Sequence, residues 1–155
     1  HTDFSGANCR DALFEKARGR NLKAVGADLT DAGMMSVNLG EADFQEIKAP
    51  GSVWENATLY QGNFSRSDLA GSEFSSTYLE EASFHGTGLQ GARFVGADLN
   101  QAQLLRVNLF QGSLERANLT GAIIRESNLY EVEFLESTRT GADFQDSNLR
   151  MTKLQ

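Results

Sequence analysis

Large apolar residues recur at every fifth position of this chain. From Ala92 to Leu119 it reads ARFVGADLNQAQLLRVNLFQGSLERANL, with Phe94, Leu99, Leu104, Leu109, Leu114 and Leu119 in one register. An amphipathic helix spaces its apolar residues by three and four, and a half-buried strand spaces them by two. A period of five fits neither. The register runs without a slip from Phe4 to Leu154 over 31 positions, of which 23 are Leu or Phe and three more are Met34, Trp54 and Ile124. The exceptions are Cys9, Gly19, Ala24, Ala49 and Arg139, and nine of the ten Phe lie in register.

Two residues before each large one, 29 of 31 positions hold Ala, Ser, Thr, Gly or Val; only Leu22 and Ile47 are larger. A small residue there implies a second inward position close to an axis with little room. The residue between the two is commonly Asp or Asn, as at Asp28, Asn38, Asp98, Asn108 and Asn118, and is expected to point outward. Nine of the 15 Gly fall two residues after the large one. That is where a type II turn needs a positive φ. The single Pro agrees, because Ala49-Pro50-Gly51-Ser52 puts Pro and Gly at the two central turn positions. Each quintet therefore predicts a short extended piece and a sharp corner.

The in-register Phe all lie at positions ending in 4, while Leu dominates those ending in 9. An even number of sides preserves that alternation, and four sides of five residues predict a coil of 20. The core expected from it includes Phe44, Phe64, Phe84, Leu89, Phe94, Leu99, Leu109 and Leu119, with Phe64 stacked on Phe84 and Leu89 on Leu109.

The motif small-[Asp/Asn]-[Leu/Phe]-x-x, seen in GADLN (96–100), RANLT (116–120) and GADFQ (141–145), resembles the pentapeptide-repeat proteins. The resemblance covers nearly the whole of 1–155, read as a single domain. It implies an all-β, right-handed, quadrilateral β-helix, a solenoid of about eight four-sided coils with 20 residues per coil. At a strand spacing of about 4.8 Å this is a rod of about 37 Å.

Two stretches are degenerate. From 10 to 25, RDALFEKARGRNLKAV has Gly19 and Ala24 at core positions and Leu13 and Leu22 out of register. It reads either as degenerate quintets, favoured by the intact phase, or as a short helix. From 46 to 53, Ala49 underfills its core position, and Ile47 is expected to lean in.

A net charge of −7 argues against nucleic acid or an anionic membrane as partner. No apolar run approaches a membrane span, so membrane insertion is not expected. The lone Cys9 cannot close an internal disulfide and leaves the compartment open. The chain starts with His rather than Met, as a processed form or an excerpt would. The cytoplasm, and for a processed start at His1 the thylakoid lumen or periplasm, are the compartments considered. The resemblance adds that family members abound in cyanobacteria and plastids.

Other motifs are weighed by context. GTGLQG, from Gly86 to Gly91, spells a dinucleotide fingerprint, but Gly86 and Gly91 are turn positions and position 111 is Gln where an acid is needed. His85 falls at an outward corner beside Ser65 and Leu105, with no carboxylate to orient it. Cys9 reads as a small core residue. The pair Glu80-Glu81 reads as a solvated corner. Asn-x-Ser/Thr triplets at Asn56, Asn63 and Asn118 are generated freely by the repeat. Asn108, Asn128 and Asn148 are 20 apart and predict a hydrogen-bonded ladder. No cofactor, metal site or catalytic residue is predicted.

The functional expectation is a non-enzymatic, rigid interaction scaffold that binds another protein, with a homodimer as one form of partner. A packed interior offers no cleft, which catalysis usually needs. The alternative, implied by the resemblance, is a DNA-mimicking inhibitor or protector of a type II topoisomerase such as DNA gyrase. A mimic should focus negative potential on one side. Dealing quintets onto four sides from Thr2 gives net charges of −2, −2, −2 and −1, so no side is an acidic stripe. The candidate interface is the set of apolar residues at outward positions, Leu105, Phe110, Ile123 and Tyr130, where Phe110 and Tyr130 should lie side by side.

Overall fold

The structure is a computed structural model that describes residues 2–153. Its backbone is a stacked coil. Parallel bridges join each outward mid-quintet residue to the one twenty positions on, from Asp3↔Lys23 through Gly88↔Asn108 to Glu133↔Lys153. Bridging residues recur every five, so each step of twenty carries four of them. Among the described residues no side extends into a continuous strand, because the turn consumes the rest of each quintet. The stretch 10–25 contains no helix; Leu13, Arg18 and Lys23 bridge like their counterparts elsewhere.

Every corner from residue 6 to residue 151 turns through a residue in the left-handed region. The residue two after the large one has φ between 52° and 70° at all 30 corners, and 21 of these residues are not Gly. Left-handed backbone is costly for residues with a Cβ. The 21 are Asp, Asn, Ser, Gln, Glu, Lys, Arg and Met, with no β-branched or aromatic residue, the types for which this conformation is worst. Most corners are closed by a bond from the following small residue back to the large one, as in Ala7 N to Phe4 O at 2.9 Å.

Among the described residues four corners lack that bond: the Gly19–Leu22 corner has none, and three others are closed differently. At Ile47, Val107 and Ser127 the amide donates instead to the hydroxyl of Ser67, Ser127 or Ser147, twenty residues on. Those hydroxyls donate in turn to the carbonyls of Phe44, Leu104 and Ile124. A serine of the next coil thus replaces the direct turn bond and keeps both backbone groups satisfied, as burial requires.

The outward Asp and Asn also have a structural task. The ladder uses the amides of the large residue and of the residue two after it, leaving the amide between them without a backbone partner. The side-chain oxygen of the residue two before it accepts from it, as in Thr30 N to Asp28 at 3.0 Å, Asn100 N to Asp98 at 3.1 Å and Thr120 N to Asn118 at 3.2 Å. Along the coil axis, Asn148 donates to Asn128 at 3.2 Å and Asn128 to Asn108 at 3.0 Å.

The core is one cluster running along the axis. Phe44, Phe64, Phe84, Leu89, Phe94, Leu99, Leu109 and Leu119 have no solvent exposure. Phe44, Phe64 and Phe84 form one stack with centroid spacings of 5.0 and 5.1 Å; Trp54, Phe74 and Phe94 form another at 5.7 and 4.9 Å. The two stacks meet edge to face. Ile47 is buried beside Ala49, and the largest core side chain, Trp54, follows five residues later with its indole N–H bonded to Ser52. Arg139 occupies a core position yet stays half-buried, because its guanidinium lies 5.8 Å above the Phe134 ring.

Candidate interaction surface

The outer surface is built by columns of side chains spaced twenty residues apart. Phe110 and Tyr130 share one such column, and their rings stack at 5.8 Å with 13° between planes. Both are half-buried, as are Leu105 and Ile123. Leu105 lies in the column of His85 and Arg125, and Ile123 bridges Gln103 and Asp143 on the preceding side. The structure therefore joins the two aromatic rings.

The most exposed large apolar residues are others: Leu13 at 75%, Met151 at 68% and Tyr78 at 58%. Leu13 and Tyr78 occupy mid-quintet positions where Asp or Asn is usual, so the sequence held a signal for both. Leu13 reaches over Gly33, where a Cβ would lie 2.7 Å from its Cδ2. Met151 is one coil beyond Glu131 at the same corner as the Phe110–Tyr130 column.

Charges pair along the same columns. Arg66 meets Glu46 at 2.7 Å, Arg93 meets Glu73 at 3.1 Å, Arg106 meets Glu126 at 2.7 Å and Lys153 meets Glu133 at 2.6 Å, each twenty residues apart. Arg10 and Lys48 flank Asp28 from the adjacent coils at 3.5 and 3.9 Å, and Arg125 pairs with Asp143. The Asp28 carboxyl is held below the usual carboxylate range, first by the Thr30 hydroxyl and then by the Thr30 amide. Asp143 is lowered first by its hydrogen bond from Arg125. Exposed pairs of this kind contribute little each to stability, but they break up the negative field. Another polar network crosses three coils: Arg20 donates to the Tyr60 hydroxyl at 2.6 Å, and that hydroxyl donates to Glu41 at 3.2 Å. The Tyr60 ring fills the space above Gly40, where a Cβ would lie 2.1 Å from it.

His85 is exposed. Cys9 is half-buried against the core. Among the described residues no group of His, Cys, Asp and Glu is placed to hold a metal, and no helix is long and apolar enough to cross a membrane.

The architecture is shared with solved structures. The chain is similar to HetL, a pentapeptide repeat protein involved in heterocyst differentiation regulation from the cyanobacterium Nostoc sp. strain PCC 7120, at 21% identity and a TM-score of 0.65, covering 97% of this chain and 73% of that one. It is similar to the pentapeptide repeat protein Rfr23 from the cyanobacterium Cyanothece 51142, at 22% identity and a TM-score of 0.58, covering 83% and 91%. It is also similar to a trypsin-treated variant of QnrB1, a plasmid-mediated fluoroquinolone resistance protein, at 16% identity and a TM-score of 0.55, covering 98% and 89%. At these identities the likeness is one of fold. No curated protein matches in sequence. The Pentapeptide repeats family matches in eight copies, over 1–33, 38–75, 63–101, 102–134 and 113–150. With the five-residue core register, the uniform corners and the stacked bridges, this places the chain in the pentapeptide-repeat family, whose members form right-handed quadrilateral β-helices.

Proposed function

We propose that this chain works as a non-enzymatic, rigid scaffold, a single rod of about eight four-sided coils of 20 residues, that binds another protein through its outer columns. The observation that carries this reading is the pairing of an interior filled by side chains from Phe44 to Phe134 with an exterior on which Phe110 and Tyr130 form a two-ring ladder. Aromatic residues held rigid by their neighbours are the usual anchors of protein interfaces. Leu105 and Ile123 on the preceding side extend the proposed contact surface, and a second copy of the chain is one partner it fits.

The alternative, a DNA-mimicking inhibitor or protector of DNA gyrase, gains from the shared fold with QnrB1 only a compatible shape. The column ion pairs weigh against it, since Arg66, Arg93, Arg106 and Arg125 neutralise acids along the rod. A mimic depends on an uninterrupted negative field.

Replacing Phe110→Glu together with Tyr130→Glu tests the scaffold reading. The rod should stay folded by circular dichroism while self-association in light scattering, or capture of the partner, is lost. A protein that is monomeric before and after, with unchanged partners, overturns the surface. In a supercoiling assay the purified protein should leave gyrase activity unchanged at micromolar concentration; potent inhibition would reverse the ranking.

A further inference from the structure

The core stack that begins at Phe44 has a ring missing one coil earlier. Phe4, Ala24, Phe44, Phe64 and Phe84 occupy one inward column, and the three described as a stack are spaced by 5.0 and 5.1 Å. At Ala24 the column holds a methyl group where its neighbours hold a phenyl. The preceding core position is Gly19, with no side chain at all. Two consecutive large positions thus lack a large side chain, and the buried Leu22, two residues before Ala24, replaces only part of that volume. The structure does not collapse to close the gap: a cavity of about 240 Å³ remains, walled by Phe4, Phe14, Leu29, Met34, Leu39 and Phe44. Leu22 and Ala27 also line it; most of its surface is apolar, and Thr2, Arg18 and Arg20 belong to the lining. Among the described residues, Phe4, Cys9 and Phe14 are half-buried and Gly19 is exposed, so the cavity is not sealed from solvent.

Size and chemistry narrow the occupant. An apolar cavity of about 150 Å³ stays dry and takes benzene, because water there would lack polar partners while an aromatic ring recovers the missing contacts. Here the walls are aromatic and thioether, and the empty slot continues a stack of rings. Rings offset-stacked or edge-on to Phe gain beyond their buried area. Met34 adds a polarizable sulfur suited to an aromatic edge. We propose that this cavity is a binding site for a neutral monocyclic aromatic compound, whose ring takes the place of the absent phenyl at position 24. The site is independent of the outer contact surface.

Benzene and toluene are the probes. Titrated into the protein, they should produce saturable methyl shifts at Met34, Leu29 and Leu39, leave Leu89 and Leu109 unmoved, and raise the apparent Tm, as any ligand selective for the folded state does. Ala24→Phe should fill the slot, abolish the shifts and raise Tm without ligand. Gly19→Leu is a second filling variant, because a Cβ at Gly19 meets only Leu39 Cδ2 at 3.6 Å, an ordinary contact; it should weaken toluene binding at least tenfold. Shifts that never saturate, shifts spread evenly along the core, or binding undiminished in whichever filling variant folds would each overturn the proposal.

Discussion

In the central coils, from Phe44 to Phe94, six aromatic rings at inward positions have no exposure and stack with 4.9 to 5.7 Å between like-facing neighbours. In the first two coils, 2–41, the same positions hold Phe4, Cys9, Phe14, Gly19, Ala24, Leu29, Met34 and Leu39; the first three are half-buried and the next two surround a cavity. The backbone registers the difference only at the Gly19–Leu22 corner, which lacks the direct turn bond. Asp11, Lys16 and Asn21 have the same corner φ as Glu81 and Gln101, and Lys23 bridges Asp43 as Ser83 bridges Gln103. In this solenoid the ladder and the corners fix the path of the chain, and the side chains decide how well the interior is filled. Stability should therefore vary along a rod whose shape does not, as expected where each repeat contacts only its neighbours.

The strongest way to break this contrast is to empty the centre. Phe74→Ala removes a fully buried ring that stacks on both Trp54 and Phe94, and should cost about 3–5 kcal/mol in denaturant unfolding. Phe14→Ala, at a half-buried position, should cost about 1–2 kcal/mol. Equal costs at the two sites would mean that the first coils are as tightly packed as the centre.

A smaller effect is expected at the serine-closed corners. Ser127 accepts from the Val107 amide at 3.1 Å and donates to the Leu104 carbonyl at 2.9 Å. Ser127→Ala leaves two backbone groups without a partner and should cost about 1–3 kcal/mol. Ser72→Ala serves as the contrast: Ser72 only donates to Leu69 O, and that corner keeps its direct bond at 3.1 Å, so its loss should cost about 1 kcal/mol or less. Similar values for the two would show that the replaced turn bond is dispensable.

The outer ladder comes next. Asn128 both donates to Asn108 and accepts from Asn148. Asn128→Ala should lower stability by about 1 kcal/mol. Far-UV circular dichroism should be unchanged, since the backbone bridges at position 128 do not depend on the side chain.

The smallest effect is acid sensitivity. Asp28, in the loosely filled coils, and Asp143, near the other end, are both lowered in the folded state, Asp28 by Thr30 and Asp143 by Arg125. A lowered carboxylate contributes stability that is complete above its unfolded value of about 3.9 and is lost as pH falls through the folded value. Stability should thus fall below about pH 4, and Asp28→Asn should flatten that fall in a pH series of unfolding midpoints. An unchanged acid limb would mean that other carboxylates set it.

Much of the fold was legible because a period of five is so restrictive. Phe64 and Phe84 could be paired from spacing alone, as could Asn108, Asn128 and Asn148, and a bridge partner twenty residues away follows from four quintets. The proposed contact surface was legible only in part. The register placed Phe110 above Tyr130, but it could not say that their rings would stack or that all four residues, with Leu105 and Ile123, would be half-buried. Leu13 and Tyr78 were readable as apolar residues at outward positions, yet their exposure depends on Gly33 and on the neighbours of each column.

The sequence by itself determined the repeat, the inward and outward assignment of each position and the vertical partner of each residue, because all three follow from counting along a chain whose phase never slips. Only the tertiary structure decided how the missing volume was handled. At Ala49 it was met by the buried bulk of Ile47 and Trp54, while at Gly19 and Ala24 the buried Leu22 fills only part of it and a cavity remains. It also decided that Ser67, Ser127 and Ser147 would close corners belonging to the coil before them. The physical reason is that register is a one-dimensional property, whereas packing and hydrogen-bond satisfaction depend on atoms brought together from coils twenty or more residues apart.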